Sequence, residues 1–480
     1  MDSMVAPIVI LGYFALLLCI AHLTSRHAGE AAFFTGDRRS PWPLVAFGMV
    51  GATISGVTFV SVPGEVGTSQ WHYLQFVLGN FVGYWVIAFV LVPIYYRMRL
   101  VSIYEYLSSR LGTVSRKTGA WSFIVSQTVG ASFRLYLVVG VLQTLVFDAL
   151  GVPFAVTVAV SIAMIWLYTF RAGIKTVVWT DTLQTVFIIA AVLTAVVAIS
   201  RGLDASPARL CDIVRQSILS TVFEFDWQSR HNFFKQFAAG VGIVIVMNGL
   251  DQNIMQKNLT CRNCAESQKN IMVFSVIFLL VNVLFLSLGV LLYRYAEVRQ
   301  VALPALTDNL FPQLATQCFG TFAAMAFLLG ITSAAYSSAD SALTALTTVF
   351  CIDILGRREN MPPRRRRLIH IGFSAVMFCV VVLFGAINDS SVVSGIFTLA
   401  GYTYGPLLGL FLFGLTTSRV IGRHAWVPVV CLAAPVVCFF LSRYSAVILG
   451  GYQMGFDLLL VNGALVYAGL WLLSAPGRSR

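Results

Sequence analysis

Charge is scarce in this 480-residue chain: Asp, Glu, Lys and Arg make up 11% of it, against about 25% in a soluble domain. That scarcity excludes a soluble globular fold. Catalytic signatures are missing too, with no HExxH, GxSxG, Walker A or strand-coupled GxGxxG run, so no enzyme class is indicated. The nine cysteines are scattered, and their one close pair, Cys261 and Cys264, lacks the second ligand pair that a structural zinc requires. They read as free thiols. The short segments of alternating polarity that mark an outer-membrane barrel are also absent, since stretches such as 273–293 (VFSVIFLLVNVLFLSLGVLLY) are continuously apolar.

What the chain has instead is hydrophobicity: 58% of its residues are apolar and its mean hydropathy is +0.82. Runs of about 20 apolar residues, the length a bilayer-spanning helix needs, recur from end to end. The chain reads as an all-α membrane protein of about thirteen transmembrane helices, at 6–24, 43–69, 72–99, 117–149, 152–170, 173–200, 231–256, 268–296, 319–354, 366–387, 391–416, 424–442 and 454–475. The first run follows no positive charge and is continued by many others, so it is a retained helix and not a cleaved signal. Residues 1–480 are expected to form one transmembrane domain.

The 32 Lys and Arg against 20 Asp and Glu give a net charge of +12, but they sit mainly between spans and form no basic and aromatic module. Nucleic acid is therefore not an expected partner. One set of alternate loops holds Arg38 and Arg39; Arg97, Arg99, Arg110 and Lys117; Arg171 and Lys175; Lys257, Arg262 and Lys269; Arg357, Arg358 and Arg364 to Arg367; Arg419 and Arg423; Arg478 and Arg480. The opposite loops, around Trp71, Asp148 and Asp389, carry almost no Lys or Arg. Positively charged short loops stay cytoplasmic, which predicts an outside N-terminus and a cytoplasmic C-terminus in a plasma membrane, the bacterial inner membrane fitting best. The stretch 201–230 has several arginines on the outer side, as long loops translocate largely regardless of charge.

Two spans are interrupted by glycine and polar residues: the second holds GATISG (51–56) and PGEVG (63–67), the seventh MNGLDQN (247–253). They open two groups of five spans, 43–200 and 231–416, whose odd number forces opposite orientations. The helix 6–24 precedes them and two helices in 424–475 follow. Inverted repeats with discontinuous helices are the architecture of secondary transporters, which hold ligands near the midplane through freed carbonyls. The ninth span, ITSAAYSSADSALTALTTVF (331–350), is rich in hydroxyls, and at about 100° per residue Ala334, Ser337, Ser338 and Ser341 share one face. Hydroxyl and carbonyl oxygens suit a hard cation, so a sodium site is expected between this face and the break in the second span.

Charged groups within spans cost roughly 2.5–3.5 kcal/mol at the helix centre and are functional by default. Asp181 and Asp340 are two such carboxylates, expected to share a second cation or a proton. Arg134, in mid-span, requires an anionic partner, and its planar fork favours a carboxylate; Asp251, Glu65 and a bound solute are the alternatives. Polar groups suited to hydrogen-bonding a solute are Thr53, Ser55, Thr58, Gln75, Gln127, Asn248 and Gln252, with Phe59 and Tyr402 among the aromatics that could line or gate a pocket.

Several segments resemble the sodium:solute symporter family: FFTGDRRSPWPLVAFGMVGATIS (33–55), SIYEYLSSRLG (102–112), VVWTDTLQT (177–185), DQNIMQKNL (251–259), SSADSALTALTTVFCIDIL (337–355) and AGYTYGPLLGLFLFG (400–414). The resemblance implies an inverted-repeat, LeuT-like fold and a sodium site built from the carbonyls of Gly51, Ile54 and Ala334 and the hydroxyls of Ser337 and Ser338. It implies a possible second sodium at Asp181, Ser337, Asp340 and Ser341. In sialic acid transporters of the family, an arginine on the helix corresponding to that of Arg134 meets the substrate carboxylate. Thr53 and Thr58 stand where sugar transporters of the family carry amides. The expected function is sodium-coupled import of a small polar organic solute, such as a sialic acid or monocarboxylate. The alternatives are a neutral-solute symporter for a sugar or polyol, a proton-coupled symporter and a transporter-like sensor. Sodium, the solute and the bilayer are the expected partners, and no protein partner is required.

Overall fold

The computed structural model describes residues 5–26, 30–170, 173–229, 231–356, 361–387, 401–448, 454 and 458–476. Arg171, Arg357, Arg358, Asp389, Arg478 and Arg480, named above as topology markers, lie outside these residues, as do parts of the spans at 391–416 and 454–475.

The fold is an all-α membrane bundle. Its main helices are α1 (Val5–Ser25), α2 (Trp42–Thr53), α3 (Gly56–Ser69), α4 (Tyr73–Val86), α5 (Thr113–Leu142), α6 (Phe154–Thr169), α7 (Ile174–Gly202), α8 (Phe233–Val244), α9 (Gln252–Asn258), α10 (Cys264–Val298), α11 (Thr321–Val349), α12 (Pro363–Ile387), α13 (Gly405–Thr416), α14 (Val427–Arg443) and α15 (Leu458–Leu472). Among the described residues, eight helices are long and apolar enough to cross a bilayer, or up to 10 if each of two bent pairs is one span. Three further apolar helices, α6, α13 and α15, are shorter than 18 residues. Two short strands, β1 (Val420–Ile421) and β2 (Ser474–Ala475), pair antiparallel and fasten the end of the described chain to the turn before α14.

Both bent pairs fall where glycine and polar residues interrupt the hydrophobic pattern. At the first, α2 stops at Thr53, Ser55 turns extended and caps α3 by accepting from the Thr58 amide at 3.4 Å, and the chain bends by 58°. Glycine is required on each side of this break. A Cβ at Gly51 would collide with the Thr185 hydroxyl on α7, and one at Gly56 with the Val138 side chain on α5. At the second, a π-type turn at Ile245–Gly249 leads into Asp251, which caps α9 by accepting from the Asn253 amide at 2.7 Å, and the axis turns by 71°.

α11 is the innermost helix. Of its apolar window 83% is buried, against 22% for that of α12, and it packs on α2, α3, α5, α6, α7, α9 and α12. This accounts for its composition. Small side chains let helices approach closely, and hydroxyls bonded to carbonyls one turn earlier are satisfied without water, as for Thr344, Thr347 and Thr348.

Candidate functional site

The helices on both sides of the break, α2 and α3, pack on α11, and Gly51 at the break lies against Asp181 and Thr185 of α7. The Ser55 amide, which would continue the helical ladder to Gly51, bonds the Thr53 carbonyl at 3.0 Å, and the Thr58 amide bonds the Ser55 hydroxyl in place of the Ile54 carbonyl. The Gly51 and Ile54 carbonyls thus lose their usual donors four residues on. Gly51 is held against α7 by its own amide, which donates to Thr185 Oγ1 at 2.9 Å. On α11, Ala334, Ser337 and Ser338 are all buried, and Ser338 Oγ has no hydrogen-bond partner among the described residues. A buried orphan hydroxyl is costly unless a ligand satisfies it. Freed carbonyls and a free hydroxyl are the oxygen donors a hard monovalent cation takes.

Ser337 turns toward α7, where its hydroxyl donates to Asp181 Oδ1 at 2.5 Å. The other oxygen of that carboxylate lies 2.7 Å from Lys257 Nζ on α9, with Asp181 at 0% and Lys257 at 1% side-chain exposure. At this distance the contact is a charge-assisted ion pair. Lys257 therefore belongs to the protein interior and not to the basic loops with which its neighbours Arg262 and Lys269 group by sequence. A buried acid needs a counter-charge, and the bend before α9 brings one in. Asp340, also fully buried, receives hydrogen bonds from the Tyr168 hydroxyl at 2.9 Å and from Ser341 at 3.0 Å. Asp340 feels the charges of both Asp181 and Lys257. The cluster holds two carboxylates and one ammonium, a net charge of about −1 when both acids are ionised.

Arg134 on α5 is the third feature. Its Nε is buried without a partner, and no ion pair among the described residues includes it. Asp251 lies within its electrostatic reach, but that carboxylate is already engaged. The Tyr404 hydroxyl donates to Asp251 Oδ2 at 2.8 Å, with Gln127 Oε1 as a further acceptor at 3.1 Å, and the Asn253 amide donates to Oδ1. Gln127 Nε2 has no partner among the described residues. Arg134, Gln127, Tyr404 and Asp251 thus bring together α5, the start of α13 and the second helix break.

The remaining polar and aromatic candidates divide by what they already bond. Thr53 donates to the Met49 carbonyl at 2.8 Å, and Ser55 and Thr58 face each other at 3.5 Å. Asn248 donates to the Tyr84 hydroxyl at 2.9 Å. Gln252 is committed elsewhere, accepting from the Ile103 amide at 2.9 Å and donating to the Val101 carbonyl at 3.0 Å. Gln75 ties down the loop before α8 through the His231 carbonyl at 2.9 Å and the Glu224 amide at 3.3 Å. Phe59 is fully buried among Phe285, Phe311 and Phe327, and Tyr402 packs near Phe439. In this structure Gln252, Gln75 and Phe59 are parts of the framework.

Two groups of the buried carboxylate cluster escaped sequence reasoning. Lys257 was hidden among loop charges, and its signal was Asp181 itself, a mid-span carboxylate requiring a cation. Tyr168 had no signal in the sequence, because only the packing of α6 on α11 brings it to Asp340.

The model of the sodium:solute symporter family matches residues 33–428, and the chain belongs to that family. It is a family of membrane transporters, not enzymes. The chain is 23% identical over 446 residues to the sodium/sialic acid symporter NanT of Aliivibrio fischeri, an alignment covering 90% of this chain and 86% of that protein. It is 25% identical over 430 residues to the human sodium/iodide cotransporter, covering 84% of this chain and 65% of the relative's length. Among solved structures, a substrate-bound, outward-open Na+-coupled sialic acid symporter superposes with a TM-score of 0.82 at 19% identity, covering 99% of both chains.

Proposed function

We propose that this protein is a sodium-coupled symporter that moves a small carboxylate-bearing organic solute across the plasma membrane by alternating access. The observation that carries the solute class is Arg134, a mid-span guanidinium with no carboxylate paired to it among the described residues, on the same helix as Gln127, whose amide nitrogen has no partner among them. A solute carboxylate supplies the anion that a buried arginine requires. This agrees with the transport of sialic acid by one family relative and of monocarboxylates by others.

Sodium enters as the driving substrate. The Gly51, Ile54 and Ala334 carbonyls with the Ser338 hydroxyl form its site in this reading, with Ser337 shared between that site and Asp181. Binding there joins the broken α2–α3 span to α11 and favours the state competent for solute. The assistance is reciprocal, since coupling between two ligands acts equally on both. Each sodium moving down 100 mV adds about 2.3 kcal/mol of drive. The residual negative charge of the Asp181, Asp340 and Lys257 cluster takes a second sodium or a proton. In this reading α6, α13 and α15 also cross the bilayer. They complete thirteen spans in two inverted repeats, with the N-terminus outside and the C-terminus cytoplasmic.

The test is thermal unfolding of the purified chain in sodium against choline, across sialic acids, monocarboxylates, amino acids and neutral sugars, because a ligand raises stability by mass action. A shift requiring both sodium and a carboxylate solute is expected. Additional stabilisation from neutral solutes alone contradicts the role of Arg134. No sodium effect contradicts sodium coupling.

A further inference from the structure

Four arginines, none of them paired to an acid among the described residues, meet in one shallow, open cavity at the edge of the bundle, with Arg97, Arg99 and Arg262 exposed. The cavity has a volume of about 690 Å³ and is lined by Arg38, Arg97, Arg99 and Arg262, with Tyr96 and Asn263 among its remaining walls. The arginines come from three separate segments: the turn before α2, the end of the helix that continues α4, and the turn before α10. None of them takes part in an ion pair among the described residues. Asp37, next to Arg38 in sequence, is turned away to Lys175 at 3.0 Å, and Glu266 on the first turn of α10 does not line the cavity.

The walls are held in place without any ligand. Arg38 Nη2 donates to the Leu100 carbonyl at 3.0 Å, the Ser40 amide to the Thr260 carbonyl at 3.1 Å, and the Tyr96 hydroxyl approaches the Asn258 and Cys261 carbonyls at 3.0 Å each. Arg38 and Arg99 both sit in the left-handed region, with φ of 50° and 49°. Non-glycine residues hold that conformation where the surrounding structure dictates it. Asn263 caps α10, accepting from the Glu266 amide at 2.9 Å, so the positive end of a 35-residue helix also meets the cavity. Like charges lining one depression repel one another, and an anion that guanidinium forks can grip relieves that repulsion.

We propose that this cavity binds the phosphate group of an anionic phospholipid headgroup. Its position decides the source. Arg97 ends the apolar span Tyr73–Arg97, so the cavity opens at headgroup depth, on the face whose loops carry most of the positive charge. Basic pockets at that depth bind anionic headgroups.

The test uses the purified full-length chain and the variant Arg97→Gln/Arg262→Gln. Neither of these side chains makes a hydrogen bond to the protein among the described residues, so the variant is expected to fold, and Arg97→Lys/Arg262→Lys serves as the charge-retaining control. Each protein is placed in nanodiscs of phosphatidylcholine alone or with phosphatidylglycerol, and retained lipid is counted by native mass spectrometry at about 0.15 M salt, where screening acts beyond about 8 Å. A parallel arm in lipid-free detergent titrates inorganic phosphate against thermal stability. The wild type is expected to retain phosphatidylglycerol at least tenfold more tightly than the Gln variant, with the Lys control in between and phosphatidylcholine showing no difference. Equal phosphatidylglycerol retention by wild type and Gln variant overturns the site. Stabilisation by millimolar inorganic phosphate that is lost in the Gln variant, with no preference for phosphatidylglycerol, overturns the lipid and assigns the cavity to a soluble anion.

Discussion

Lys257 Nζ lies 2.7 Å from Asp181 Oδ2, with both side chains sealed from solvent. The pair ties the second helix break to α7 and places a protein cation on one carboxylate of the candidate second sodium site. Removing one partner of a buried pair strands the other at a cost of about 3–5 kcal/mol. Lys257→Met is therefore expected to lower the thermal midpoint in choline and to regain part of the loss in sodium, which then compensates Asp181. Lys257→Met/Asp181→Asn should recover stability in choline without sodium. Equal melting of the single and double variants rejects this electrostatic account.

Ser338 provides the orphan hydroxyl of the proposed first sodium site. Ser338→Ala removes one oxygen ligand and little volume, so the sodium concentration for half-maximal uptake should rise about tenfold, equivalent to about 1.4 kcal/mol, with folding unaffected. Uptake measured against sodium at fixed solute checks this, and an unchanged sodium dependence removes Ser338 from the site.

Arg134 has no ion pair to lose among the described residues. Arg134→Ala should leave the melting temperature in ligand-free buffer nearly unchanged while weakening carboxylate solute binding by at least tenfold, since one hydrogen bond to a charged group contributes about 1.5–3 kcal/mol. Calorimetric titration gives the affinity, and retained carboxylate binding defeats the assignment. Arg134→Lys should recover only part of it, because an ammonium lacks the planar fork.

On the side of the basic loops, Asp353 just beyond α11 accepts from Arg116 Nε at 2.7 Å and from the Ser102 hydroxyl at 2.5 Å, joining α5 and the 101–105 segment. Gln252 on α9 bonds the same segment. Asp353→Asn is expected to loosen this closure and to raise the labelling rate of the buried Cys351 by a permeant maleimide several-fold. Peptide mass spectrometry reads the rate, and wild-type labelling shows that the network is not a closure.

Asp308, between α10 and α11, is half-buried, and burial raises its carboxyl above the ordinary range, partly offset by the Ser61 hydroxyl. The folded state therefore holds this proton more tightly than the unfolded chain. Its contribution to stability is complete below the unfolded value and is lost as pH rises through the folded one. Asp308→Asn should accordingly flatten the fall in thermal midpoint as pH rises above the ordinary carboxyl range. An identical pH profile in the variant excludes Asp308 as the source.

The sequence alone determined the class of fold, because the bilayer admits only segments that satisfy their own backbone, and their length and apolarity are written locally. It also located both helix breaks, since glycine and polar residues at mid-span have few other uses, and it singled out the serines of α11 through helical periodicity. What periodicity cannot convey is which helix lies opposite. Lys257 looked like a loop charge until the bend before α9 turned it onto Asp181, and Gln252 and Gln75 looked available until packing joined them to backbone segments far away in the chain. Arg38, Arg97, Arg99 and Arg262 read as topology signals, which depend on which side of the membrane they occupy and not on their neighbours. Only the tertiary structure gathered them into one cavity, because partnership between side chains depends on contacts across the chain that no local pattern encodes.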